Sequence, residues 1–237
     1  MSAIAHPARE NSVALHVPRL ENGDHLTREE FNRRWDAMPD LQRAELIEGV
    51  VFMGAALRHK QHGDPHRRFI GWMDRYAAYT PGIDGGIAGS VEMDDWNEPQ
   101  PDCYLFLPPA LGSKVVVTDE GYLAGAPDLI AEISAYTASI DLHRKKDVYQ
   151  RHGVREYIVW RVLEETIDWF VLDELTYTPL LPDQDGVIRS PLFPGLWLDV
   201  AAMLRGPAQR VHEVLDQGLA TPEHAAFVQL LAPHVKP

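Results

Sequence analysis

The sequence predicts an α/β fold: a mixed β-sheet core flanked by helices, with a C-terminal strand meander and a helical tail. Three observations carry that expectation. In "HGDPHRRFIGWMDRYAAYT" the apolar residues Phe69, Ile70, Met73, Tyr76 and Ala77 recur at helical spacing. Two runs, "CYLFL" from Cys103 and "LIAEI" from Leu129, are apolar nearly throughout, as strands buried on both faces are. The segments "REYIVW", "TIDWFVL" and "TYTPLL" then follow one another, β-branched and aromatic, with turns between them. Strand, helix, strand and meander in that order imply helices packed on the faces of a mixed sheet.

Taken in order, residues 1–25 show no periodicity and are expected to be a loose arm. "LTREEFNRRWDAM" reads as a helix, with Thr27 as N-cap and Glu30 completing a capping box. In "RAELIEGVVFMG", Glu48-Gly49 reads as a turn between two short strands. Pro65 falls in the first turn of the next helix, where proline is tolerated, and Pro81-Gly82 should stop it. "GIDGGIAGS" lacks the Gly-Lys-Ser/Thr of a phosphate loop and the context of a nucleophile elbow, so a turn or bulge between strands is expected. "GSKVVVTDEGYLAG" reads as a polar loop. "SIDLHRKKDVYQRH" reads as a helix closed by Gly153 in the left-handed conformation. After "PLFPGLWLDV" a helical tail starts near Asp199 and restarts at Pro207 and at Thr221-Pro222. The expected organisation is one domain over 26–205, with residues 206–237 as a helical tail on the same domain.

The 237 residues, 45% apolar, suffice for one domain with a substantial core. No apolar run reaches the ~18 residues of a membrane span, and the N-terminus lacks a secretory h-region. Cys103 is the one cysteine, which excludes an intrachain disulfide and an all-cysteine zinc site. These points predict a cytoplasmic protein with no membrane partner. A net charge of −13 argues against a surface that coats nucleic acid broadly, but not against a local basic groove. Residues 58–68 and 141–155 each carry a net charge of +3. Trp72, Trp96, Trp160, Trp169 and Trp197 read as core and interface mass.

The chemistry starts from two carboxylates in runs that otherwise look buried: Asp102, opening "DCYLFL", and Glu132, inside "LIAEIS". Ionised carboxylates are costly to bury unpaired. Two of them about 4 Å apart would repel by roughly 4 kcal/mol at an effective dielectric near 20. A shared divalent cation reverses that penalty, and hard oxygen ligands suit Mg²⁺ or Mn²⁺. The helix that follows adds a third group. At about 100° per residue, Lys145 falls about 60° from Leu142, among Ala138 and Tyr149, on the face turned to the sheet. Its ammonium either snorkels outward or meets the carboxylates. Glu45, in "AELIEG", is a fourth candidate. His59, His62 and His66 could share a helical face, but Pro65 is expected to disturb a three-histidine site.

"AELIEG", "EPQPD", "APDLIAEIS" and "DLHRKKDVYQRHGVREYIVW", in that order and closed by "SPLFPGLWLD", resemble the Uma-type endonucleases of the PD-(D/E)XK, or restriction-endonuclease-like, superfamily. The resemblance spans residues 27 to 205. It implies a restriction-endonuclease-like fold and catalytic roles for Glu45, Asp102, Glu132 and Lys145. The lysine of the (D/E)XK motif is missing, since Ser134 stands there, and Lys145 on the next helix takes its place. The resemblance further implies Mg²⁺ (or Mn²⁺) held by Asp102, Glu132 and the backbone carbonyl of Ile133. His62, Gln100, Ser134 and Asp141 would support the site or contact substrate. The implied activity is metal-dependent hydrolysis of phosphodiester bonds in nucleic acid, with DNA expected, by a homodimer. Two alternatives stay open: a catalytically silent nuclease-fold protein that binds or regulates, and a hydrolase of a smaller phosphorylated substrate.

Overall fold

The structure is a computed structural model and describes residues 17–54 and 58–235. Of the arm expected over 1–25, residues 1–16 lie outside that description. Over 17–25 the chain packs on its neighbours: Leu20 is buried, and the Gly23 N–H donates to the Val51 carbonyl at 2.8 Å.

Helix α1 (Arg28–Asp36) starts where its cap predicts, with Thr27 Oγ1 accepting from the Glu30 N–H at 3.4 Å. The Glu30 carboxylate turns to Arg33 and Arg34 at 2.6–2.8 Å. Strands β1 (Ala44–Ile47) and β2 (Val50–Met53) form a hairpin. Its two turn residues, Glu48 and Gly49, both have positive φ (53° and 74°), as the tightest hairpin turn requires. A π-helical turn, His59–Gly63, leads into α2 (Asp64–Ala78).

Two expectations need correction here. "GIDGGIAGS" is no mere turn: it supplies β3 (Asp84–Gly86), which pairs with β5 (Cys103–Phe106) as the edge strand of the main sheet. Glycine is needed because a Cβ at Gly86 would collide with the Tyr104 ring. The supposed polar loop holds β6 (Val116–Val117) and β7 (Leu123–Ala124), which join β4 (Val91–Glu92) in a small three-stranded sheet. Valines and Leu123 on either side of a turn at Gly121 (φ 89°) outweigh the polar turn residues.

Strand β8 (Leu129–Ser134) is buried at all six positions. A helical run over 138–152 follows: α3 (Ala138–Ile140), a second π-helical turn (Asp141–Lys145) and α4 (Lys146–His152). Gly153 ends it at φ 80°. The meander is β9 (Glu156–Arg161), β10 (Thr166–Asp173) and β11 (Thr176–Pro179). A short pair, β12 (Val187–Arg189) and β13 (Trp197–Asp199), precedes α5 (Val200–Arg205), α6 (Ala208–Leu219) and α7 (Pro222–Leu231). Asp199 caps α5 by accepting from the Ala202 N–H at 2.9 Å.

The main sheet has the order β11-β10-β9-β8-β5-β3. β8 runs parallel to β9 and antiparallel to β5, with Cys103 opposite Ala131. Its residues therefore alternate between two cores. Leu129, Ala131 and Ile133 face α2 and the C-terminal helices, with Phe69, Trp72, Trp169 and Leu215. Ile130 faces α4, with Val148, Tyr149, Tyr157 and Phe170. Each such large apolar side chain is worth roughly 1.5–3 kcal/mol when buried. A third cluster, around Phe31, Leu46 and Val51, joins α1 to the hairpin. Trp96, expected as core, is 52% exposed. Among the described residues no helix is long and apolar enough to cross a membrane.

Glu156 is fully buried at the start of β9. It accepts from Ser190 Oγ (2.6 Å), the Leu192 N–H (2.9 Å) and Trp169 Nε1 (2.9 Å). Burial dominates those bonds and raises its pKa from 4.5 to about 7. The folded state thus favours the proton, so this group's contribution to stability is full below pH ~4.5 and is lost as pH rises through ~7. At about 1.4 kcal/mol per pKa unit the loss is about 3 kcal/mol. Glu156→Gln should be correspondingly less pH-sensitive than wild type across this window. Denaturant midpoints measured from pH 4.5 to 8 check this, and parallel profiles for the two proteins would refute it.

Candidate active site

The β5–β8 register places Asp102 and Glu132 together. Asp102 precedes Cys103 by one residue and Glu132 follows Ala131 by one, so the two acids stand at the same end and on the same face of the sheet. Both line one cleft of about 470 Å³, together with Glu45, His62, Asp141 and Lys145. The exposed rim includes Tyr136.

Lys145 is the hub. It is 4% exposed, and its Nζ donates to Glu45 Oε1 at 2.7 Å and to Glu132 Oε1 at 3.0 Å, with Asp141 Oδ1 at 3.9 Å. The π-helical turn on which it sits brings Asp141, Lys145 and Tyr149 to the sheet side together. Tyr149 Oη donates to Glu132 Oε1 at 2.8 Å. Glu45 is reached from a different direction, because the Gln100 N–H also donates to its Oε1 at 2.7 Å. Asp141 Oδ2 accepts from Ser134 Oγ (2.7 Å) and Thr137 Oγ1 (2.6 Å). Ser134 thus holds an acid that faces Lys145.

Asp102 is held separately. Its Oδ2 accepts from the Ile133 N–H at 2.8 Å, and its backbone carbonyl accepts from His66 Nε2 at 3.1 Å. Oδ1 stands 3.5 Å from both Arg43 Nη2 and His62 Nε2. His62 Nδ1 donates to the Ile133 carbonyl at 3.1 Å.

These surroundings drive the acids apart. Burial opposes the Asp102 charge, but the His62 imidazole, the Ile133 N–H and His66 outweigh it and hold the carboxyl below its ordinary range. Burial pushes Glu132 well above that range; Lys145 offsets this only in part, and the charges of Asp141, Asp102 and Glu45 add to it. Burial likewise raises Asp141 against the pull of Lys145, Thr137 and Ser134. Burial alone would lower Lys145, yet Glu132, Glu45 and Asp141 together raise it, so the amine stays charged. Three carboxylates, of Glu45, Glu132 and Asp141, converge on one buried ammonium, while Asp102 faces Arg43 and His62 at 3.5 Å. With Arg58 also at the cleft, four acidic groups face three cationic side chains, and ionising all four calls for a further cation.

Asp102, Glu132, Glu45, Lys145, His62, Ser134 and Asp141 thus meet in one place. The Gln100 side chain points elsewhere, with Nε2 donating to Ser90 Oγ at 3.1 Å. His66, Tyr149 and Arg43 enter without having been singled out for the site. The signal for His66 was its i, i+4 spacing from His62; Pro65 lies at the helix start and leaves that spacing intact. His59 is exposed.

Residues 28–201 match the Uma2 family, described as "Putative restriction endonuclease". The chain belongs to the Uma2 family. Among solved structures, this Uma2 chain resembles one described as a putative nuclease belonging to DUF820 from Anabaena variabilis ATCC 29413. Identity is 15%, the TM-score is 0.51, and the match covers 77% of this chain and 97% of that one. That likeness supports the restriction-endonuclease-like fold of the Uma2 chain. No curated protein matches it.

Lys145→Met should cost about 3–5 kcal/mol, because it leaves buried carboxylates without their cation. The loss should shrink as pH falls and those acids take up protons. Urea denaturation reads both effects, and a change within ±0.5 kcal/mol, as expected for Lys60→Ala at the surface, would contradict the hub role.

Proposed function

We propose that this protein is a metal-dependent phosphodiesterase, an endonuclease acting on nucleic acid, with DNA the expected substrate. One observation carries the reading: Asp102, Glu132, Glu45 and the charged Lys145 line a single open cleft. Membership of the Uma2 family supports the nuclease class.

The residues fit a divalent cation. The acids outnumber the cations that face them, and the buried His62 Nε2 has no hydrogen-bond partner. Asp102, Glu132 and the Ile133 carbonyl would hold Mg²⁺ or Mn²⁺, which when bound supplies charge neutralisation at the phosphate and a bound water of lowered pKa. Lys145, kept protonated by its three acids, contributes positive charge toward the developing phosphorane rather than acting as a base. Glu45 orients that ammonium, and Asp141 backs it from the other side. Arg43 and Arg58, at the cleft, would meet phosphate oxygens. Tyr136 at the rim, 5.8 Å from the Arg58 guanidinium, offers a face on which a base could stack.

A second reading, hydrolysis of a smaller phosphorylated substrate, has its own support. Much of the basic charge in 58–68 and 141–155 is engaged within the chain. Arg67 pairs with Asp64, Arg68 donates to the Ala202 and Gly206 carbonyls, Arg144 and Arg151 face Glu48, and Arg155 pairs with Asp128. That leaves few cations for a long phosphate track.

With Mg²⁺ or Mn²⁺ the full chain should nick or cleave plasmid or single-stranded DNA. Asp102→Ala and Glu132→Gln should each lower the rate by at least about 10²-fold. Agarose gels with chelator controls read the outcome. Asp102-dependent hydrolysis of a small phosphodiester with DNA untouched would favour the second reading. Cleavage that survives both substitutions would remove the site from the mechanism. We also infer a homodimer through the meander edge, where Leu175 and Leu181 are 83% and 75% exposed beside β11. Sedimentation equilibrium should return twice the chain mass, and a monomer at micromolar concentration would end that inference.

A further inference from the structure

A second set of atoms in this cleft bears on which ion it selects. His62 and His66 lie four residues apart where α2 begins, with ring centroids 5.1 Å apart. One ligand-capable atom each from His62, His66 and Asp102 lie within 4.8 Å of one another, the one such trio among the described residues. Glu132 is not part of it.

The hydrogen bonds fix the tautomers. A carbonyl oxygen can only accept, so His62 Nδ1, 3.1 Å from the Ile133 carbonyl, carries the proton. With Nδ1 engaged, Nε2 is the ring nitrogen left for a metal ion, through its lone pair in the neutral ring or by giving up its proton from the charged one. That nitrogen is buried, lacks a hydrogen-bond partner, and stands 3.5 Å from Asp102 Oδ1. A buried imidazole nitrogen 3.5 Å from a carboxylate oxygen makes no good hydrogen bond to it, and the two atoms are placed to be held by one metal ion. An imidazole that donates one N–H to a carbonyl while its other nitrogen faces the ion is the usual orientation of a ligating histidine. By the same reasoning His66, whose Nε2 donates to the Asp102 carbonyl at 3.1 Å, has Nδ1 left for the ion. Arg43 Nη2 competes for Oδ1 at 3.5 Å, but its side chain is 34% exposed and has room to withdraw.

We propose that His62, His66 and Asp102 form a two-nitrogen, one-oxygen site that selects a transition-metal ion of the Mn²⁺, Co²⁺ or Zn²⁺ class over Mg²⁺. Magnesium prefers oxygen ligands and dehydrates reluctantly. Imidazole nitrogen favours the later divalent ions, in the order of their general affinities. The proposal deepens the hydrolase reading and rests on it for the ion's role, not for its binding.

The test uses the full chain, stripped with chelator and titrated with Co²⁺ by visible absorption and calorimetry. One Co²⁺ per chain is expected, with visible ligand-field bands. Mg²⁺ should compete only at about 100-fold excess or more. His62→Ala should abolish the signal and His66→Gln should weaken binding by at least about tenfold. His59→Ala, at an exposed neighbour, should change nothing. Far-UV circular dichroism reports folding; if His62→Ala does not fold, His66→Gln decides alone. The proposal fails if the folded protein takes up no Co²⁺, if uptake survives the substitutions in folded protein, or if Mg²⁺ displaces Co²⁺ at comparable concentration. Site-specific Co²⁺ binding without any phosphodiester cleavage would sink the hydrolase reading and leave this site standing.

Discussion

One buried ammonium organises the site. Lys145 has almost no access to water, and charge of that kind is tolerated only when opposite charge and hydrogen-bond acceptors surround it. The fold meets that requirement from three directions: Glu45 from the hairpin, Glu132 from the central strand and Asp141 from the lysine's own helical run. Those elements are far apart in sequence. Satisfying one side chain therefore fixes where the hairpin sits against the sheet and how the helix lies over it. The Gln100 N–H, donating to the same Glu45 oxygen, ties the approach to β5 into this arrangement.

The second half of the site is built on different terms. Asp102 has no buried ammonium; backbone and imidazole groups hold it, and the Ile133 backbone serves both sides, donating its N–H to Asp102 and offering its carbonyl to His62. One residue of β8 thus fixes, through its own N–H and carbonyl, the spacing between carboxylate and imidazole. The site divides into a lysine-centred half that is electrostatically closed and an aspartate–histidine half in which one imidazole nitrogen has no hydrogen-bond partner. Adding positive charge is far easier in the second.

The sequence made the sheet legible because its central strands are apolar on both faces; the same uniform burial leaves the register between β5 and β8 unspecified by pattern. It also placed Lys145 toward the sheet by helical phase alone. Other features escaped it for physical reasons. Gly85 and Gly86 look like turn residues, yet they form an edge strand because Tyr104 occupies the space their side chains would need. The strands at Val116 and Leu123 are two residues each, below the length at which alternation can be seen. His66 was obscured by a proline that sits where helices accept one. The local basic charge looked like a groove because sequence counts charges, whereas the fold pairs many of them with nearby acids and carbonyls.

Both site-bearing helical runs contain a wide turn in their N-terminal half, one through His62 and one through Lys145. Such a turn amounts to an ordinary α turn carrying one surplus residue. Removing that residue would rotate everything on one side by about 100° relative to the other. In related chains, then, a one-residue difference in length within either run is a better sign of a changed site than a substitution on the solvent face. Alignments that close such gaps for the sake of overall similarity would erase the most telling difference between an intact centre and a lapsed one.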